Sequence, residues 1–206
     1  MPRYFRNKHS HGIIHFADSE KAGIHISMHN IIVDIDNTLW DFASVFHDRL
    51  KERVPDIPPV TEWEWDFHRK YIAEEDLYRI FDGIHREQHL FEPFPSAQFF
   101  LESLSDRGYE IIIASHRDEN SREATESFLK KNNLQYTELH LIRNKTVLFD
   151  SCSALIDDAP YLLEEAKRHN LVRAGLLHPW NRHSGHPLFD SLEQVLEFLL
   201  TELQTV

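Results

Sequence analysis

The 206-residue chain has one cysteine (Cys152), six glycines and no apolar run of membrane-spanning length. A single cysteine excludes an internal disulfide and suits a reducing compartment. A bilayer span needs roughly 20 consecutive apolar residues, so no membrane helix is expected. The first thirty residues lack the apolar core of a secretion signal, and the expected location is the cytoplasm. Positive charge is also scarce: 22 Lys and Arg against 34 Asp and Glu give a formal net charge of −12. A protein that wraps a nucleic-acid polymer needs a basic track, and this balance argues against one. A small anionic substrate stays open, because a bound cation inverts the charge locally. There is no internal repeat or low-complexity tract.

The chain does have ample core-forming material, with 41% hydrophobic and 12% aromatic residues. That suits one domain, or one domain carrying an insertion. Residues 1–29 are polar and read as an N-terminal extension. Their alternating runs around Asp18-Ser19-Glu20-Lys21 are consistent with a hairpin. The group His9, His11, His15, His25 and His29 matches no metal-ligand spacing and reads as solvated.

From residue 30 onward, strand-like and helix-like segments alternate. "NIIVDID" (30–36), "YEIIIASH" (109–116), "YTELHLI" (136–142), "ALIDDAP" (154–160) and "LVRAGLL" (171–177) read as strands. The runs 99–104, 121–132, 161–170 and 191–203 read as helices. This order predicts an α/β fold: a Rossmann-like parallel sheet flanked by helices. Residues 43–94 break the pattern. They hold helical runs at 44–54 and 74–91 and the aromatic stretch "VPDIPPVTEWEWDFHRKY", with no convincing buried strand. They are expected to form a helical cap inserted after strand 1, leaving 30–42 and 95–206 as the core domain.

The acids fall where such sheets bind ligands, beyond the carboxyl ends of the strands. Asp34 and Asp36 follow the first strand, Ser115 ends the second, Lys145 follows the third, and Asp157 and Asp158 follow the fourth. Carboxylates from two strand ends meeting at one edge repel unless they are protonated or neutralised. A divalent cation resolves the repulsion, and an all-oxygen set suits Mg²⁺. Read singly, the acids fit solvated turns or helix starts, Ser115 fits an N-cap, and Lys145 fits the surface.

Four motifs in this order, "DIDNT", "IIIASHR", Lys145 and "LIDDAP", resemble the haloacid dehalogenase superfamily of phosphotransferases. Within it, "LIRNKTVLFDSCSALIDDAP" and "DIDNTLWDF" resemble the 5′(3′)-deoxyribonucleotidases, over about residues 30–200. "HPWNR" (178–182) is similar to a segment of bacterial relatives. Asn37-Thr38 follows the generic superfamily form instead of the nucleotidases' Gly-Val. Ala114, His116 and Arg117 also differ from the nucleotidases' second motif.

The resemblance implies a HAD-like fold and a Mg²⁺-dependent phosphomonoesterase. Asp34 would be the nucleophile that forms an aspartyl-phosphate. Asp36 would carry the proton and offer its main-chain carbonyl to the metal. Ser115 and Lys145 would hold phosphoryl oxygens. Asp158 would be a direct metal ligand and Asp157 either a ligand or one step removed. Arg117 is a candidate for a further phosphate contact or a surface ion pair. Trp40, Phe42, Trp63, Trp65 and Phe67 are candidates for stacking on a base.

The expected substrate is a (deoxy)nucleoside monophosphate, with another small phosphate such as a sugar phosphate as the alternative. The family also implies a homodimer. A silent binding protein is the more distant reading. A phospho-accepting signalling domain is disfavoured, because its acidic pair follows the first strand, whereas here the pair comes late.

Overall fold

β-Branched residues at 31–33 and 111–113 favour extended backbone, and all six are buried. In the computed structural model, which describes residues 30–204, they form the two central strands. The expectations placed on residues 1–29 lie outside the described residues.

The strands are β1 (Asn30–Val33), β2 (Glu110–Ser115), β3 (Glu138–Leu141), β4 (Ala154–Ile156), β5 (Val172–Leu176) and β6 (Leu188–Phe189). All pair in parallel in one sheet of order β3-β2-β1-β4-β5-β6. This is the doubly wound order, and its direction reverses between β1 and β4. The fold is the expected HAD-like α/β sheet. β6 is an addition: two residues at the sheet edge carry no periodicity that could announce a strand.

Alternate residues on each strand serve opposite faces. Ile31, Val33, Ile111, Ile113, Ala154 and Ile156 pack with helices α3 (Ala97–Ser105), α4 (Arg122–Lys131) and α6 (Leu192–Leu203). Ile32, Ile112, Ala114 and Leu155 pack with α5 (Pro160–Arg168) and Phe149. With both faces covered, the central strands read as continuous apolar runs.

Between β1 and β2, ahead of α3, lie α1 (Phe42–Lys51), α2 (Glu74–Arg86) and short 3₁₀ turns. α1 starts at Phe42, two residues before the expected run 44–54, where Asp41 caps it by accepting from the Ser44 N–H at 3.0 Å. Among the described residues, no helix is long and apolar enough to cross a membrane.

Candidate active site

β1 ends at Val33, where the next main-chain N–H, that of Asp34, still donates to Ile156 O on β4 at 2.9 Å. This ties the Asp34 turn to the Asp157 turn at the point where the sheet order reverses. Beyond β4, Asp157 N donates to Ala174 O at 3.1 Å. A Cβ at Gly175 would lie 2.2 Å from Asp157 O, so only glycine lets β5 run this close to the acidic turn. Asn37 adopts a left-handed φ of 56°, a conformation asparagine tolerates, and it turns the chain back over the strand end.

Two pockets follow. In the first, Asp34, Asp157 and Asp158 are buried, and one carboxylate oxygen from each lies within 4.8 Å of the others. Buried Lys145 donates to Asp34 Oδ1, and to Asp157 Oδ2 at 2.6 Å. Asp157 Oδ1 accepts from Ala159 N at 2.9 Å, so both its oxygens are committed. Asp158 Oδ2 accepts from Asn37 Nδ2 at 3.1 Å and from Trp180 Nε1 at 3.0 Å. Among the described residues no donor is directed at Asp34 Oδ2 or Asp158 Oδ1.

Burial pushes the Asp34 carboxyl up to about 7, with Lys145 opposing and Asp157 and Asp36 reinforcing the rise. Burial and its acidic neighbours also raise Asp158 well above the usual carboxylate range. Burial acts to lower the Lys145 ammonium, but Asp157 and Asp34 outweigh it and keep it charged.

In the second pocket, the Asp36 carboxylate is the acceptor for a ring of side chains. Arg117 Nη2 lies at 2.7 Å, Trp40 Nε1 at 2.9 Å, His85 Nε2 at 3.1 Å and Ser115 Oγ at 3.4 Å. Burial acts to raise this carboxyl, but the Arg117 guanidinium and His85 outweigh it and hold it well below the usual range. Arg117 also donates to Ser115 Oγ at 3.0 Å, to Thr125 Oγ1 at 2.8 Å and to Gln88 Oε1.

Asp34, Asp157, Asp158 and Lys145 therefore converge, but four other expected residues sit differently. Arg117 is not at the surface: its side chain is fully buried against Asp36. Trp40 is 1% exposed and stacks on Phe91 at 5.0 Å, so it braces Asp36 and presents no face to the cleft. Ser115 is fully buried, and its hydroxyl is engaged by Arg117 and Asp36. Asp36 directs its carboxylate away from the group formed by the other three acids.

Phe42, Trp63, Trp65 and Phe67 line the open cleft above the acids, about 1480 Å³ in volume, together with Tyr161 and Trp180. Trp63 and Phe67 are already stacked on each other at 3.8 Å. Trp65 and Tyr161 are the exposed pair, 42% and 49% exposed, with ring centroids 5.7 Å apart.

The sequence alone points neither to His85 nor to a site role for Asn37 or Trp180. His85 had a signal: a polar residue on the buried face of α2, beside Leu77, Ile80 and Ile84.

The donor set fits a divalent cation. Fully ionised, Asp34, Asp36, Asp157 and Asp158 would carry four negative charges against two positive ones on Lys145 and Arg117. The formal excess of two is unfavourable in a buried site without a counter-charge. Asp34 and Asp158 would hold the ion, each with an uncommitted oxygen. Asp157, occupied by Lys145 and Ala159, would support them.

No family model matches the chain. Over 171 residues it is 25% identical to a protein of Chlorobaculum tepidum named "Putative 5′(3′)-deoxyribonucleotidase", spanning 73% of this chain and 80% of that one. Its fold is similar to that of a "putative beta-phosphoglucomutase" of Thermotoga maritima, with a TM-score of 0.55 and 18% identity. That match covers 84% of this chain and 98% of the other. A haloacid dehalogenase-like protein of Agrobacterium tumefaciens superposes with a TM-score of 0.60 at 12% identity, over 86% of this chain and 99% of the other.

Proposed function

We propose that this protein is a Mg²⁺-dependent phosphomonoesterase working through an aspartyl-phosphate, with nucleoside monophosphates as its leading substrate class. The observation that carries the reading is Asp34, buried at the β1 end with Lys145 on one oxygen and its other oxygen uncommitted, beside Asp158. Such a carboxylate can attack phosphorus and form the new bond as the alcohol departs, splitting one displacement into two.

Lys145 would offset charge on the attacking oxygen and on the phosphoryl group. Asp36 would carry the proton in both half-reactions, to the leaving alcohol and from the hydrolytic water. Its Arg117 and His85 contacts favour the ionised form, and so the second of these roles. A cation held by Asp34 and Asp158 would supply charge neutralisation for the phosphoryl group. Residues 43–94 act as the cap that covers the cleft and excludes water.

The nucleotide preference rests on the cleft. At about 1480 Å³ it exceeds the usual 300–1,000 Å³ of small-ligand sites, so it has room for a base as well as a phosphate. The exposed Trp65 and Tyr161 offer a planar leaving group two aromatic faces near the acids. The name of the Chlorobaculum tepidum relative points the same way. Sugar phosphates are the second reading, supported by the polar side of the cleft at His116, Asp118, Asn120 and Arg143. The Thermotoga maritima neighbour's name agrees with that alternative. A cytoplasmic homodimer belongs to the same proposal, and sedimentation velocity tests the dimer.

The deciding experiment is phosphate release from a panel of 5′- and 3′-(deoxy)nucleotides and sugar phosphates, with Mg²⁺ or with chelator. The wild type is compared with Asp34→Asn. Mg²⁺-dependent release that peaks on nucleotides and disappears in the variant is expected. Release confined to sugar phosphates would transfer the assignment to the second reading. Full activity in Asp34→Asn would remove the nucleophile.

A further inference from the structure

The segment after β5, His178-Pro179-Trp180-Asn181, lies outside the four motifs, yet the fold folds it against the candidate cation site. His178 Nε2 lies 2.7 Å from Asn37 O, and the His178 ring stacks on Trp180 with centroids 4.5 Å apart and planes 6° from parallel. Trp180 Nε1 and Asn37 Nδ2 both donate to one oxygen, Asp158 Oδ2, at 3.0 and 3.1 Å. The contacts close a ring from Asn37 through His178, Trp180 and Asp158 back to Asn37.

Two further anchors hold that ring. Asn37 Oδ1 accepts from Ala43 N at 2.8 Å, in the first turn of α1. Fully buried Asn181 donates to Asp158 O at 3.1 Å and to Leu176 O at 2.9 Å, and accepts from His178 N at 2.8 Å. Asp158 is therefore held by its main chain and by one carboxylate oxygen. Its torsion is fixed by groups 121 and 22 residues away in sequence.

We infer that Trp180 and Asn37 are positioning residues for the cation: by filling Asp158 Oδ2 with two N–H donors, they leave Oδ1 oriented for a divalent ion. The inference rests on the cation reading proposed above. An oriented carboxylate loses less rotational freedom when it captures an ion, and it cannot turn its free oxygen away from the site. The same contacts join the site to the chain that leads into the cap, since Asn37 also holds the start of α1 and the Trp180 ring lies 6.5 Å from Trp63.

The test is calorimetric titration of the full chain with Mg²⁺ alone, without substrate. Trp180→Phe keeps an aromatic ring beside His178 and deletes the N–H. Asn37→Gly suits the left-handed backbone and deletes the other donor. Each variant is expected to bind Mg²⁺ on the order of ten-fold more weakly than wild type, the lower end of the effect for groups that orient metal ligands. Melting in chelator, read alongside, shows that each variant is folded, and one folded variant is enough to decide. Wild-type affinity in a folded variant would overturn the positioning role and leave the proposed phosphatase standing. Failure of wild type to bind Mg²⁺ would overturn the cation reading, and this inference with it.

Discussion

The pocket around Asp34 and the pocket around Asp36 each hold one acid of the same Asp-x-Asp, buried in the first and partly buried in the second, and each supplies one cation, yet their electrostatics diverge. Asp34 shares Lys145 with Asp157 and sits beside Asp158, so three acids compete for one ammonium, and its carboxyl rises to about 7. Asp36 has Arg117 without a rival acid, together with Trp40, His85 and Ser115, and stays ionised. One pocket is short of positive charge and the other is satisfied. A site that must capture a cation and a phosphoryl group benefits from the first condition, and a stable proton acceptor from the second.

The largest test of this contrast removes the ammonium. Lys145→Met leaves Asp34 and Asp157 buried without their cation, and is expected to lower metal-free stability by about 3–5 kcal/mol in urea titrations. It is also expected to abolish turnover. A stability loss under about 1 kcal/mol would mean that the acids in this pocket are largely neutral without metal.

Arg117→Met is the matching change in the other pocket. Asp36 keeps the Trp40 and Ser115 donors, so the expected cost is smaller, about 2–3 kcal/mol for a charged hydrogen bond. The pH-rate profile should also shift, with the limb assigned to Asp36 moving to higher pH. An unmoved limb would detach Asp36 from the proton transfer.

Gly175→Ala acts on one pocket only. The added methyl meets Asp157 O and forces β5 away from the acidic turn, at an expected cost of about 1–3 kcal/mol. Mg²⁺ binding should weaken. Asp36, which Gly175 does not touch, should keep its pH-rate limb. Loss of both responses together would show that the two pockets are not independent.

The smallest effect is in the pH dependence of metal-free melting. Asp34, raised in the folded protein, keeps a proton that the unfolded chain has released, so its contribution falls as pH climbs from about 4 to about 7. Asp36 is depressed, so its contribution is present above the unfolded value and is lost in acid. Asp34→Asn should therefore flatten the decline between about pH 4 and 7, and Asp36→Asn the acid-side loss. Each change should be a few degrees in melting temperature. Identical profiles for the two variants would erase the distinction between the pockets.

Much of the sheet was legible because burial on both faces imposes a simple rule, continuous apolar runs such as Ile111-Ile112-Ile113. The edge strand β6 lacked that rule, and its two residues pair only because β5 is already in place. The acids were legible as a group because each lies within three residues of a strand end. The setting of Arg117 was not: its sequence position suggests a phosphate contact or a surface ion pair, and only the fold brings Asp36, Gln88 and Thr125 around it. Trp40 has the composition of a stacking residue, and Phe91 and Asp36 take up its face and its N–H.

By itself, the order of residues determined a parallel α/β sheet with helices between its first two strands, and which carboxylates stand near strand ends. These follow from periodicity and from the expense of burying an unpaired charge, both local properties of the chain. Only the tertiary structure decided which acid each cation would serve, and that Asn37 and Trp180 would share one oxygen of Asp158. Those pairings join residues up to 121 positions apart. Strengths of buried charges and hydrogen bonds depend on distance and enclosure, and neither exists until the sheet has closed around them.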